Sequence, residues 1–155
     1  MATEIERKYL LDGLPCRASD GQRVLIEQGW VGRLRLRSRH LYGDRAMRDA
    51  AHYACVKFGR DLVRREYELG IPQLVFDALW PFTDGHRIRK IRHAVEDGGL
   101  VWELDVFIDR VPALVLGEVE LPSSDYPVEL PAWLEPHVVR EVTGEAQYVN
   151  LNLAK

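Results

Sequence analysis

Residues 4–11 read Glu-Ile-Glu-Arg-Lys-Tyr-Leu-Leu. Glu4, Glu6 and Lys8 fall at every second position, and Ile5 and Tyr9 stand among the alternates. In a strand, side chains spaced i, i+2, i+4 line one face. Three charges therefore share one side of the strand that opens the fold. Taken alone, that side fits a solvated sheet face as well as a face that holds something charged.

The pattern recurs along the chain. Arg33, Arg35 and Arg37 alternate with Leu34 and Leu36, and Lys57 is flanked by Val56 and Phe58. Glu66 and Glu68 bracket Tyr67, and Lys90 and Arg92 bracket Ile91. Glu103 and Asp105 bracket Leu104, and Glu118 and Glu120 bracket Val119. Solvated faces of antiparallel sheets tolerate charge, but like charges set side by side are mildly unfavourable. Like-signed doublets in strand after strand predict a barrel turned inside out, with apolar side chains outward under helices and loops and charged ones lining a tunnel.

Period-2 segments run over Glu4–Leu11, Arg23–Trp30, Arg33–Arg39, Tyr53–Phe58, Arg65–Ile71, Arg87–Val95, Leu100–Ile108 and Leu114–Leu121. Asp97-Gly98-Gly99 predicts a hairpin turn, and residues 110–113 predict another short connection. Helix is expected after Pro72, with Leu74, Val75, Ala78 and Leu79 as its apolar stripe and Pro81 as its end. A second short helix is expected within Tyr148–Ala154. The polar connection between Arg39 and His52 has room for a helical turn at Ala46–Ala51. The fold class is mainly β (α+β): an eight-stranded antiparallel barrel, closed or nearly closed, with a few short flanking helices. Residues 1–155 are expected to form a single domain.

Composition sets limits. The formal net charge is −3, from 21 Lys and Arg against 24 Asp and Glu, so no overall basic field points to nucleic acid. No apolar run approaches the ~20 residues of a membrane helix. A charged N-terminus is unlike a secretory signal, and Cys16 and Cys55 make no metal motif or disulfide framework. The cytoplasm is the expected compartment. The five histidines show no metal-ligand spacing. Arg87 and Arg89 have the opposite parity to Lys90 and Arg92 and are expected outside the tunnel.

Many buried charges must pair with each other or with a charged ligand. Clustered carboxylates suit a hard divalent cation, and clustered Arg and Lys suit a polyanion. Both together describe a site for a metal-chelated polyphosphate.

Glu-x-Glu-x-Lys at Glu4–Lys8 resembles the signature of the CYTH, or triphosphate tunnel metalloenzyme, superfamily. The resemblance continues through Arg35-Leu36-Arg37, Lys57, Glu66-Tyr67-Glu68, Lys90-Ile91-Arg92, Glu103-Leu104-Asp105 and Glu118-Val119-Glu120 to the C-terminal residues 141–154. In length the chain is similar to the compact bacterial inorganic triphosphatases. The resemblance implies an eight-stranded tunnel, one or two Mg2+ or Mn2+ ions, and a small polyphosphate substrate: triphosphate, a nucleoside triphosphate or thiamine triphosphate. The charge balance and the lack of a long apolar run predict no nucleic acid or membrane partner, and because such a tunnel can close within one chain, a monomer or a homodimer is expected.

The implied metal set is Glu4, Glu6 and Glu120 with Glu118 nearby, and Glu68, Glu103 and Asp105 for a second ion or its waters. Lys8, Arg35, Arg37, Lys57, Lys90 and Arg92 would cradle the phosphate chain. Glu4, Glu6, Lys8 and Lys90 are the expected catalytic groups, with an acidified water attacking the terminal phosphorus. Two departures stand out. Trp30 occupies a position where the family commonly has Tyr, and indole cannot act as a base. Gln147, Val149 and Leu151 stand where basic residues are common. A class IV-type adenylyl cyclase and a non-catalytic polyphosphate- or nucleotide-binding module are the competing readings. The longer Arg39–His52 connection carries Arg45 and Arg48, expected to be solvated.

Overall fold

A computed structural model describes residues 2–42, 50–60, 63–109 and 114–155, the side chains of residues 2, 3, 20, 59, 60, 63 and 64 excepted. The strands are β1 (Ala2–Leu11), β2 (Gln22–Val31), β3 (Leu34–Leu41), β4 (Ala51–Arg60), β5 (Val63–Gly70), β6 (Arg87–Asp97), β7 (Leu100–Phe107), β8 (Val115–Glu120) and β9 (Val138–Glu141). Two short helices, α1 (Gln73–Leu79) and α2 (Asn150–Leu153), complete the set with several 3-10 turns. The eight expected strands are all present, and β9 is an addition.

All the strand pairings are antiparallel, in the order β5-β4-β3-β2-β6-β7-β8-β1-β9. β1 pairs with β8 through Glu6–Leu11 and meets β5 through Ala2–Ile5. The sheet thus curls until its ends touch over a short seam, giving a nearly closed tunnel. Gly98 and Gly99, at φ +59° and +79°, supply the left-handed pair that a two-residue hairpin between β6 and β7 requires. Gly29 answers a different need. A Cβ there would meet Thr83 Oγ1 at 2.5 Å, so only glycine lets β2 pass beneath the 80–83 turn.

Residues directly opposite one another in neighbouring strands share a face. Lys8 faces Glu118, which faces Glu103; Arg92 faces Asp105; Lys57 faces Glu66; and Arg35 faces Cys55. The doublets therefore project to one side, the interior. On the outer side, Tyr9, Leu11, Trp102, Leu104, Val119 and Leu121 pack against Leu134 from the segment before β9.

The structure corrects the expectation that apolar residues all point outward. Trp30, Ile88, Phe107 and Leu116 share the inward parity and form a second apolar cluster, with Leu10 packed on it. Val142, Tyr148, Leu151, Leu153 and Ala154 close over that cluster. The interior is charged over one part of its length, and apolar and stoppered by the chain's own C-terminal residues over another. A second correction concerns α1. Its buried residue is Phe76, while Leu74 is 81% exposed, Val75 and Ala78 are also exposed and Leu79 is half-buried. The helix has only two turns, and it docks through Phe76 between His52 (centroids 4.4 Å apart) and Trp80 (4.9 Å). That contact overrides the local stripe.

Arg87 and Arg89 lie outside the tunnel as expected, Arg87 on Thr83 and the Trp80 carbonyl, Arg89 on Glu27 and Asp109. The helical turn expected within 46–51 falls mostly outside the described residues, as do Arg45, Arg48 and the 110–113 connection; Ala51 begins β4. Among the described residues, no helix is long and apolar enough to cross a membrane.

Candidate active site

One cavity of about 790 Å³ occupies the interior. Its wall carries Glu4, Glu6 and Lys8 from β1, Arg35 and Arg37 from β3, and Lys57 from β4. It continues with Lys90 and Arg92 from β6, Glu103 from β7, and Glu118 and Glu120 from β8. Glu68 and Asp105, both expected at the site, are not in its lining. Trp30 is in the lining, and so are Gln28, Cys55 and Asn150, which the charge pattern did not mark. Gln28 is two residues from Trp30, and Cys55 two from Lys57, so period-2 parity alone would have placed them inside.

The charges divide into two networks and an opposed pair. In the first network, Arg92 lies between three carboxylates. Its Nε and Nη2 donate to Asp105 Oδ1 and Oδ2, each at 2.7 Å, Nη2 also reaches Glu118 at 2.9 Å, and Nη1 donates to Glu103. Lys90 donates to the same Asp105, and Lys8 lies 2.7 Å from Glu118. Burial works to raise the pKa of Asp105 and of Glu118. Arg92 and Lys90 outweigh it for Asp105, and Lys8, Lys90 and Arg92 hold Glu118 well below the usual carboxylate range. Burial lowers the pKa of Lys90 despite its Asp105 partner. These acids are already committed to cations.

In the second network, Arg35 donates to Glu66 at 2.7 Å and to Glu68 at 3.2 Å, and Arg37 donates to Glu68. Lys57 bridges Glu4 at 2.6 Å and Glu66 at 2.8 Å. The Cys55 thiol donates to Glu66 at 2.9 Å and is pushed up to about 12, first by burial. Cys55, Glu66 and Glu68 bring three donor atoms within 4.8 Å of one another, but Arg35, Arg37 and Lys57 already occupy the two carboxylates. Glu4 differs from these acids. Burial, followed by a hydrogen bond shared with Glu66, raises it to about 7 despite Lys57.

The opposed pair is Glu6 and Glu120, which face each other directly across the β1–β8 ladder. Their register sets two carboxylates side by side on the inner face. Glu4 is two residues along on the same face. Glu4, Glu6 and Glu120 are oxygen donors of the kind a hard divalent cation takes. The residues present fit a divalent metal at that part of the wall, with Lys57 2.6 Å from Glu4 and the other cationic side chains lining the same cavity.

A nearly closed antiparallel tunnel lined by paired acids and a cationic cradle defines the triphosphate tunnel class. Comparison with known proteins agrees. The chain is 35% identical to an inorganic triphosphatase of Nitrosomonas europaea, across 98% of this chain and 97% of that protein. It is 30% identical to an inorganic triphosphatase of Acetivibrio thermocellus, across 100% and 95%. A crystal structure of an inorganic triphosphatase superposes with a TM-score of 0.61 at 32% identity, covering 99% of this chain and 95% of that one. No family model matches the chain. At these identities over the full length, the chain belongs to the inorganic triphosphatases of the CYTH type.

Proposed function

We propose that the protein hydrolyses inorganic triphosphate with the help of Mg2+ or Mn2+. The observation that carries this reading is that acidic and basic side chains line one cavity together. Lys8, Arg35, Arg37, Lys57, Lys90 and Arg92 present cations to a polyanion, and Glu4, Glu6 and Glu120 present oxygens to a metal. Water adds to the terminal phosphorus, the bridging P–O bond breaks, and pyrophosphate leaves with the bond's electron pair. When bound, the metal neutralises phosphoryl oxygens and makes a water more acidic. The cationic side chains hold the chain of phosphates and offset the charge that builds as the bond breaks. Their own carboxylate partners fix where they point, so little reorganisation accompanies the reaction. Trp30 is buried with Ile88, Phe107 and Leu116. It shapes the cavity wall and takes no proton.

Phosphate release from triphosphate by the purified protein, dependent on added Mg2+ or Mn2+ and stopped by a chelator, is the expected result. Cyclic AMP from ATP, or tight triphosphate binding without turnover, would overturn the reading.

The pH dependence of metal binding follows from Glu4. Its pKa near 7 means that below pH 7 the metal must displace a proton from this carboxyl. Titration calorimetry with Mn2+ should show affinity falling as pH drops through 7, approaching about tenfold per unit. Affinity constant between pH 8 and pH 6 would remove Glu4 from the metal set.

A further inference from the structure

β1 changes partners along one edge. That edge pairs with β5 through Ala2–Ile5 and with β9 from Tyr9 to Leu11. Lys8 stands between the two registers, and the chain just after β9 takes the strand's place. The Thr143 hydroxyl accepts the Lys8 backbone N–H at 3.0 Å, and the Lys8 carbonyl accepts the Val142 N–H at 2.8 Å. The same hydroxyl donates to Glu141 at 2.7 Å, so its proton and an acceptor site are both committed. The segment then turns at Gly144 (φ +77°), and at Tyr148 its carbonyl accepts from the Lys8 ammonium at 3.4 Å. Beyond that point, Leu151, Leu153 and Ala154 anchor it in the inner apolar cluster.

One short segment therefore grips Lys8 twice, at its backbone through residues 142 and 143 and at its charged end through residue 148. The Lys8 side chain has little freedom left, since it is 6% exposed and its ammonium also contacts Glu118. We propose that Thr143 is a positioning residue that sets the direction of the Lys8 ammonium in the cavity. This inference rests on the proposed role of Lys8 at the substrate. Valine at 143 keeps the shape and removes the acceptor, which leaves a buried N–H to find another partner and lets β1 shift beneath Lys8. Misplacement of a reacting group by about 1 Å costs up to about a hundredfold in rate.

The test is a cycle of Thr143→Val, Thr143→Ser, Lys8→Ala and the Thr143→Val/Lys8→Ala double variant, assayed on triphosphate with Mg2+ and with Mn2+. Thr143→Val should lower kcat about tenfold with KM changed less than about twofold, and Thr143→Ser should restore it. In the Lys8→Ala background Thr143→Val should have no further effect. A Thr143→Val enzyme that is folded and fully active, no rescue by serine, or an equal loss in the Lys8→Ala background would each overturn the proposal. Should Thr143→Val fail to fold, amide hydrogen exchange on the unmodified chain decides. Protection of the Lys8 amide matching that of its β1 neighbours is expected, and rapid exchange would overturn the proposal. A wild-type protein that turns over no triphosphate but protects this amide would overturn the function and still support the contact.

Discussion

Glu4→Gln should abolish measurable triphosphate hydrolysis while leaving the fold intact. Metal stabilisation of a phosphoryl-transfer transition state is worth about 4 kcal/mol, which corresponds to a loss of about a thousandfold or more in kcat/KM. The stability expectation has a separate basis. Glu4 sits near pKa 7, so its neutral form is already half-populated at neutral pH and a neutral amide of the same shape is a mild change. Lys57 keeps Glu66 at 2.8 Å when Glu4 loses its charge, so no buried cation is stranded. Thermal melting without metal should therefore shift by less than about 3 °C. Parallel assays of kcat/KM, Mn2+ affinity and melting separate the cases. Full activity would sink the metal role, and a collapsed melting point with metal binding preserved would make Glu4 a structural residue.

Which face each charge occupies was legible in the sequence because the period of a strand is local. Glu4, Glu6 and Lys8 alternate with Ile5 and Tyr9 wherever β1 pairs. Position along the tunnel was not legible, because it depends on register and on where the chain's ends come to rest. Leu10 and Leu116 have the same parity as Lys8 and Glu118, yet they lie in the apolar inner cluster under the C-terminal residues. β9 was invisible for a related reason. It is four residues long, and its place on β1 is fixed by a partner more than a hundred positions away. The α1 stripe failed because His52 and Trp80 select Phe76 as the docking residue.

The same limit applies to the acids. Glu103 and Asp105 are an indistinguishable i, i+2 pair on paper. In the structure Glu103 lines the cavity, while Asp105 is 0% exposed and binds Lys90 and Arg92. Pairing across strands decides the difference, since Arg92 is the direct β6 partner of Asp105.

That difference predicts the opposite outcome for Asp105→Asn. Lys90 and Arg92 are both held by the two oxygens of Asp105, and the Lys90 side chain is 1% exposed. Asparagine offers a single acceptor and turns an NH2 group toward two cations. Breaking a buried charge pair by removing one partner costs about 3–5 kcal/mol, because the remaining charge cannot return to water. For a chain of this size that is a fall of roughly 6–20 °C in melting temperature. Arg92 retains Glu103 and Glu118, which places the expectation toward the lower end, but Lys90 loses its Asp105 acceptor. Mn2+ affinity measured on the folded fraction at low temperature should be nearly unchanged, in contrast to Glu4→Gln. A variant that melts like the wild type but binds Mn2+ poorly would return Asp105 to the metal set. Together the two substitutions test whether carboxylates of one charge pattern divide into those that hold the fold together and those that serve a metal from solution.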